Sequence, residues 1–572
     1  MNFIHTTKKY IAVLWGITIM GTIYSCSDWL DQETYSDIAD SQIPDSDEGA
    51  NMWVTGAYNE FTYMFTWSNY FRVMDFDNDF ASGPTWAFSE TGVGNFQGSG
   101  GHVNSLWEQT YLLIDRTNEA IAHVEKMSNV SEREKKDALG ELYFLQAYGY
   151  FILVRAFGEI PIHTVSINQG GNPHQPRQSL SAVYSHIITL LSNAKDMMYK
   201  NTESGFKEGR ACAGAAATLL AKVYATIGSA SMSAGETVSV KGGIPFTFDD
   251  QSKMVLTNPT EQNFEKEQVN GYDCFDSQEY YQKALALARE IVNDKKYGIH
   301  ELIPYNQLWK KSGRDSREQL FSLQTISGDE VFGATYSSQY CGQIVSGYVL
   351  GSSMIFGFRS HWYKLFETND LRVKDGVIHH WIRSFDGNPS VIGNYYPDGE
   401  EWKNMANNLG DGREYTYEIG EWSMAYINKY ADVTDASFGR TDAPYPLLRY
   451  ADAVLILAEA SNEVNGPQEE AINALKSVRT RSGASVDDLT FRDKEALRSF
   501  ILEERAREFV AESDRRWDLI RWGIYLQTMN AIGGVDENNI SKSRERKHLL
   551  YPIPLEEINA NKEINENNPG WN

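Results

Sequence analysis

Cysteine is scarce in this chain, with four residues in 572, at positions 26, 212, 274 and 341. That excludes a disulfide-stapled scaffold, and the spacing fits no metal-ligand pattern. Cys212, Cys274 and Cys341 therefore read as packing residues. Positive charge is in deficit: Lys and Arg total 52 against 77 Asp and Glu, a formal net charge of −25. A nucleic-acid partner needs the opposite field, as does adsorption to anionic lipid through a basic face. After residue 23 no apolar run reaches the roughly 20 residues that a membrane-spanning helix requires. The usual catalytic signatures are missing too, with no H-E-x-x-H, G-x-S-x-G or P-loop. Gly92-Val93-Gly94 opens like a dinucleotide fingerprint, but Gln97 stands in place of its third glycine. Asp75, Asp77 and Asp79 alternate as in a calcium loop, yet Phe80 occupies the glycine position and Trp86 the closing glutamate position. They read instead as solvated loop acids or as hydrogen-bond acceptors for a ligand. His379-His380 reads as a surface pair. Glu503, Glu504 and Glu508, with Arg505 and Arg507, read as ion pairs along one helix rather than as carboxylates facing across a glycosidase cleft. The expectation is a binding protein, not an enzyme, with no metal and no cofactor.

What the chain does have is aromatic side chains (13%, including 14 Trp and 32 Tyr) and an N-terminus built as an address. Lys8 and Lys9 precede an uncharged stretch, Tyr10 to Ile23, of signal-peptide rather than membrane-span length. Ser25 and then Cys26 follow. This order predicts a bacterial lipoprotein with signal peptide 1–25 and lipidation of Cys26; ordinary secretion with cleavage nearby is the alternative. Residues 26–48 are acidic and polar and read as a tether.

The remainder, 49–572, divides by texture. Helical spacing of apolar residues covers 49–66, 104–127, 131–157, 178–198, 209–229 and 277–293, and again 445–464, 467–481, 492–513 and 515–523. Ser131 with Glu134 forms a capping-box pattern. The run 209–229 is rich in Ala and Gly, so neighbouring helices can approach closely. Trp107, Trp517 and Trp522 lie in helical patterns and are assigned to the core. The predicted fold is mainly α: successive antiparallel helix pairs over about 49–295 and 441–530, tetratricopeptide-like without a strict 34-residue period. Between them, about 296–440 is rich in Gly, Asn, Asp, Ser and aromatics, with few short strands such as 320–325. Irregular segments on a rigid scaffold are where binding residues concentrate. The proline-bearing tail 551–572 should be extended and laid across the surface, with Trp29 and Trp571 pinning the two termini.

Several blocks, in order along nearly the whole mature chain, resemble the SusD/RagB family of outer-membrane nutrient-binding lipoproteins. They are CSDWLD at Cys26, LYFLQAYGYFILVRAFGEIP at 142–161, GRACAGAAATLLAKVYA at 209–225 and the stretch 280–298. Towards the C-terminus they are PYPLLRYADAVLILAEASNE at 444–463, AINALKSVRTR at 471–481, ILEERAREFVAESDRRWDLIRWG at 501–523, YPIP at 551–554 and NPGW at 568–571. The resemblance implies a lipid-anchored, surface-exposed outer-membrane protein. Its expected role is to capture oligo- or polysaccharide and deliver it, as a lid, to a SusC-like TonB-dependent transporter. Capture of peptides by the same machinery is the second reading, and a surface glycosidase or peptidase the third. A glycan site needs aromatic platforms flanked by polar hydrogen-bonding groups. The candidates are Trp86 and Phe88 beside Asp75 and Asp77, Tyr336 and Tyr340, Arg359, and Tyr395 and Tyr396.

Overall fold

Apolar residues recurring every three to four positions put one face of each long segment inside, and in the computed structural model these segments are helices. The residues described are 42–571, apart from 67–68, 351–352, 379, 386–387, 395–423 and 488. The expected leader, Cys26, Trp29, Tyr395 and Tyr396 lie outside them, as do the side chains of His379 and His380. Helices α1 (Asp47–Thr66), α2 (Gly101–Lys126), α3 (Glu132–Phe157), α4 (Leu180–Met197), α5 (Ala213–Ser231) and α6 (Ser277–Val292) pack as a chain of neighbours. The array continues through α7 (Tyr450–Asn465) onto α8 (Glu469–Arg481) and α9 (Lys494–Glu508), with α10 (Arg515–Arg521) against α5. The fold is therefore the mainly helical, tetratricopeptide-like scaffold expected. No helix among the described residues is long and apolar enough to cross a membrane.

Small residues set the spacing where α5 meets its neighbours. A Cβ added to Gly228 would lie 3.0 Å from the Tyr281 ring of α6, and one on Gly214 only 2.0 Å from His300 Nε2. At this density even one added methyl must displace a neighbour. Trp107, Trp517 and Trp522 are buried as expected.

Between the helical blocks the chain forms short strands. Gln319–Leu323 pairs antiparallel with Tyr445–Arg449, and a four-stranded sheet joins 344–345, 348–350, 380–385 and 388–394.

Four local expectations need correction. Ser131 does not close a capping box. Its backbone N–H donates to Asp47 Oδ1 at 2.7 Å, and Glu134 accepts from the Tyr199 hydroxyl at 2.7 Å. A carboxylate from another helix takes the backbone donor that the local Glu134 carboxylate would hold. The helix expected to reach 513 ends at Glu508, because Ala511 and Ser513 are left-handed (φ +59° and +67°). Their neighbourhood is held by tertiary donors: Lys429 Nζ donates to the Glu508 and Val510 carbonyls, and the Tyr430 hydroxyl to that of Ala511. Cys212 and Cys341 are buried packing residues, but Cys274 is exposed. The tail is not wholly extended, since Leu555–Ala560 is helical. It is nevertheless tied down: Trp571 Nε1 donates to the Lys547 and Leu550 carbonyls at 2.9 and 3.0 Å.

Candidate functional site

The loop after Met74 begins as structure. Asp75, Asp77 and Asp79, read above as solvated or ligand-facing, are all buried. Asp77 accepts from Arg544 Nε at 2.8 Å, from the Tyr525 hydroxyl at 2.6 Å and from Arg516. Those cations hold its carboxyl below the usual range despite burial. Asp79 forms a two-pronged pair with Arg515 at 2.9 and 2.7 Å. Asp75 accepts from the Tyr340 hydroxyl at 2.8 Å, and burial pushes its pKa up to about 7. Arg359 is buried against Glu537 at 3.0 Å. Tyr336 is buried and donates to the Ala443 carbonyl. Six of the expected ligand contacts, Asp75, Asp77, Tyr336, Tyr340, Arg359 and Phe88, are thus interior residues that present no face to a ligand. A buried polar group must find partners, and here the scaffold supplies them.

Phe88 and Trp86 separate within one turn. Pro84 opens it, its carbonyl accepting from the N–H groups of Ala87 at 2.9 Å and Phe88 at 3.2 Å. Phe88 points inward, 1% exposed, and stacks on Phe76 with centroids 4.4 Å apart and planes 7° from parallel. Gly83 and Gly92 make room for that ring: a Cβ on either would lie 2.4 or 2.2 Å from it. Arg72 Nη1 fixes the turn from behind, donating to the Ala87 carbonyl at 2.6 Å. With Phe88 as the anchor, Trp86 is held outward at 55% exposure.

Trp86 lines an open cleft of about 590 Å³. The rest of the lining includes residues of the short helix Tyr336–Cys341 and 438–440. Phe438 lies there, 45% exposed, packed edgewise above Gly328, whose φ of +75° turns the chain beneath it. Gln339, Gln343 and the Arg440–Glu330 pair (3.2 Å) complete the lining. The Oε1 of Gln339 is buried and has no hydrogen-bond partner among the described residues. The wall is braced by Ser338, whose hydroxyl donates to the Gly439 carbonyl at 2.8 Å. Two solvent-facing rings with amide and charged groups between them suit a ligand with apolar faces and polar edges. Among the described residues no group of three or more His, Cys, Asp or Glu could hold a metal ion.

Phe438, Gln339 and Gln343 were not expected from the sequence. The available signal was an aromatic in the turn-forming stretch Asp435-Ala436-Ser437-Phe438-Gly439, where no helical or strand period accounts for it.

Comparison with known proteins agrees with this architecture. Residues 357–571 match the model of the SusD family, and residues 28–225 match a model described as starch-binding, associating with the outer membrane. The chain belongs to the SusD/RagB family. It is similar to SusD-like protein P38 of Formosa agariphila, 24% identical over 96% of this chain and 98% of that one. A shorter match, 34% identical over 26% of this chain and 25% of the relative, is to the starch-binding protein SusD of Bacteroides thetaiotaomicron. Among solved structures, a SusD homologue from Bacteroides thetaiotaomicron superposes with a TM-score of 0.69 at 24% identity, covering 94% of this chain and all of that one. The surface glycan-binding protein A of the same organism, in complex with laminarihexaose, gives 0.65 at 17% identity over 91% of this chain and 99% of that one. These likenesses place the fold of this chain among SusD-superfamily structures.

Proposed function

We propose that this SusD-family protein is a glycan-binding lipoprotein that grips oligosaccharide in the Trp86–Phe438 cleft and does not cleave it. The observation that carries the reading is the pair of solvent-facing rings, 55% and 45% exposed, in a cleft with amide and charged edges. Sugar rings offer C–H faces to such platforms and hydroxyls to such edges. The family's starch-binding description and the relative's laminarihexaose complex support the ligand class. The Ser25-Cys26 sequence supports a lipid anchor at the outer membrane, facing outward. In that setting the protein captures substrate and passes it to a SusC-like TonB-dependent barrel. Affinity in the micromolar to millimolar range, about −8 to −4 kcal/mol, concentrates substrate and still permits release.

Isothermal titration of the leaderless protein against β-glucan, α-glucan, fructan and xylan oligosaccharides, with a peptide panel alongside, tests the reading. Saturable binding of at least one glycan series is expected, without shortening of the oligosaccharide. Binding of peptides and of no glycan would replace it with the peptide-capture reading. Co-purification of a barrel protein with the anchored chain tests delivery, and its absence from detergent extracts would remove that step.

A further inference from the structure

A second cavity, of about 540 Å³, lies away from the Trp86 cleft, enclosed by α3, α4, α5, α10 and the tail residues 566–569. Protein interiors leave few voids larger than a water, and this volume is that of a ligand site. Much of its wall is apolar, from Val154, Leu180, Ala225, Ile456 and Leu550 among others. A dry void of this kind would cost the lining its packing contacts.

Its charges are unevenly satisfied. Lys222 pairs with Asp452 and Asp514, both at 2.8 Å. Arg505 pairs with Asp452 at 3.0 Å and Asp518 at 2.8 Å, and Arg521 with Glu459 and with Asp518 at 2.9 Å. The carboxylates deep in the cavity wall, Asp514 and Asp518, are thereby consumed. Arg155 is left over. Its Nε donates to the Phe151 carbonyl at 3.1 Å, and its guanidinium lies 4.1 Å from the Phe151 ring and 5.5 Å from that of Trp517. Among the described residues it has no carboxylate partner. Beside it, Trp517 is 4% exposed and its buried Nε1–H has no acceptor. One cation without a carboxylate and one indole donor without an acceptor thus share an apolar chamber. The mouth is bordered by exposed Glu159, Asn270, Arg546 and Pro569, which leaves a route in.

We propose that this cavity is a second ligand site, distinct from the glycan cleft, that takes a small amphipathic carboxylate. Arg155 and the Trp517 indole N–H receive the carboxylate, and the apolar wall takes the body. A charge-assisted pair in a water-poor chamber is stronger than its surface counterpart. A neutral ligand of the same body leaves Arg155 as it is and gains only the apolar contact.

Titration of the leaderless protein with decanoate and with decan-1-ol, each below its solubility limit, tests the assignment. Decanoate should bind saturably at one site, and decan-1-ol about tenfold or more weaker. Arg155→Gln should weaken decanoate about tenfold, and Trp517→Phe, which keeps the ring and removes the donor, about threefold. Trp86→Ala should leave decanoate binding unchanged, so failure of the glycan reading and failure of this one are separable. Absence of saturable decanoate binding overturns the proposal. So does equal affinity for acid and alcohol, a comparison made on the unaltered protein that stands even if Arg155→Gln fails to fold.

Discussion

The helix Lys494–Glu508 and the Trp86–Phe438 cleft are made from similar residue types, and they behave as opposites. Around the helix, the buried charges find their partners inside the fold. Glu508 meets Arg449 at 2.9 Å, Arg372 at 3.2 Å and Arg481, while Glu504 meets Arg372 at 2.6 Å, Arg479 at 2.9 Å and Arg507 at 3.0 Å. In the cleft, two rings face solvent and the buried Gln339 Oε1 has no hydrogen-bond partner among the described residues. The difference teaches that side-chain chemistry alone does not mark a ligand site in this protein. What marks it is which polar and aromatic groups the scaffold leaves unused.

The most severe way to break the comparison is to remove a member of the buried lattice. Glu508→Ala takes one carboxylate from Arg449, Arg481 and Arg372, which keep Glu318, Glu512, Asp370 and Glu504 between them, and breaking such a buried network costs about 3–5 kcal/mol. Urea unfolding should show that loss. The same substitution should leave glycan affinity of the folded fraction unchanged, because no atom of Glu508 reaches the cleft lining. A stable Glu508→Ala protein with lost glycan binding would show that the two regions are one.

Asp75 sharpens the comparison, since it is buried like the lattice but among the described residues its carboxylate accepts from the neutral Tyr340 hydroxyl and from no cation. Its pKa is about 7 in the fold against an ordinary 3.8. Between those values the folded protein holds a proton that the unfolded chain has released. Stability must therefore fall as pH rises, and the loss is complete once pH passes about 7. From pH 5 to pH 8 this amounts to about 2–3 kcal/mol. Asp75→Asn, which cannot ionise, should flatten the fall in melting temperature over that range. An unchanged pH profile would mean that the Asp75 carboxyl is not kept protonated by burial.

The legibility of the two regions in the sequence differs for the same reason. The helices were readable because their apolar period is local, and nearly all the expected long helices are present within a few residues. The i,i+3 and i,i+4 pairs of Arg507 with Glu504 and Glu503 were readable for the same reason. Asp77 was not, because Arg544 and Tyr525 lie 467 and 448 positions away. A carboxylate in a loop looks ligand-facing until its distant partners are known. Phe88 and Trp86 are two residues apart in one loop, and only Phe76 and the two glycines beside Phe88 decide which ring goes in. Arg359, Tyr336 and Tyr340 are buried because the segments that carry them, a short helix for the two tyrosines, pack inward rather than splay. Phe438 carries the same local signal as the other loop aromatics, a ring that no helical or strand period accounts for, and nothing local ranks it above them.

The cleft itself gives the smaller effects. Trp86→Ala should weaken glycan binding by about 1–2 kcal/mol, the range of one aromatic platform, roughly a tenfold rise in Kd. Its melting temperature should stay within error of the parent, since the ring stands outside the core. Unchanged affinity would remove Trp86 from the site.

Phe438→Ala is the finest test. Its ring covers Gly328, with a contact of about 3.1 Å to where a Cβ would stand, so part of its surface is already used by the fold. Only the remaining face is available to sugar, and the expected loss is about 0.5–1 kcal/mol. If Trp86 and Phe438 grip the same oligosaccharide, the double variant should show coupling rather than simple addition, because a ligand released from one platform is free to reorient on the other. Strict additivity would instead mean that the two rings hold separate stretches of a longer chain, and oligosaccharides too short to span both would then lose only one of the two contributions.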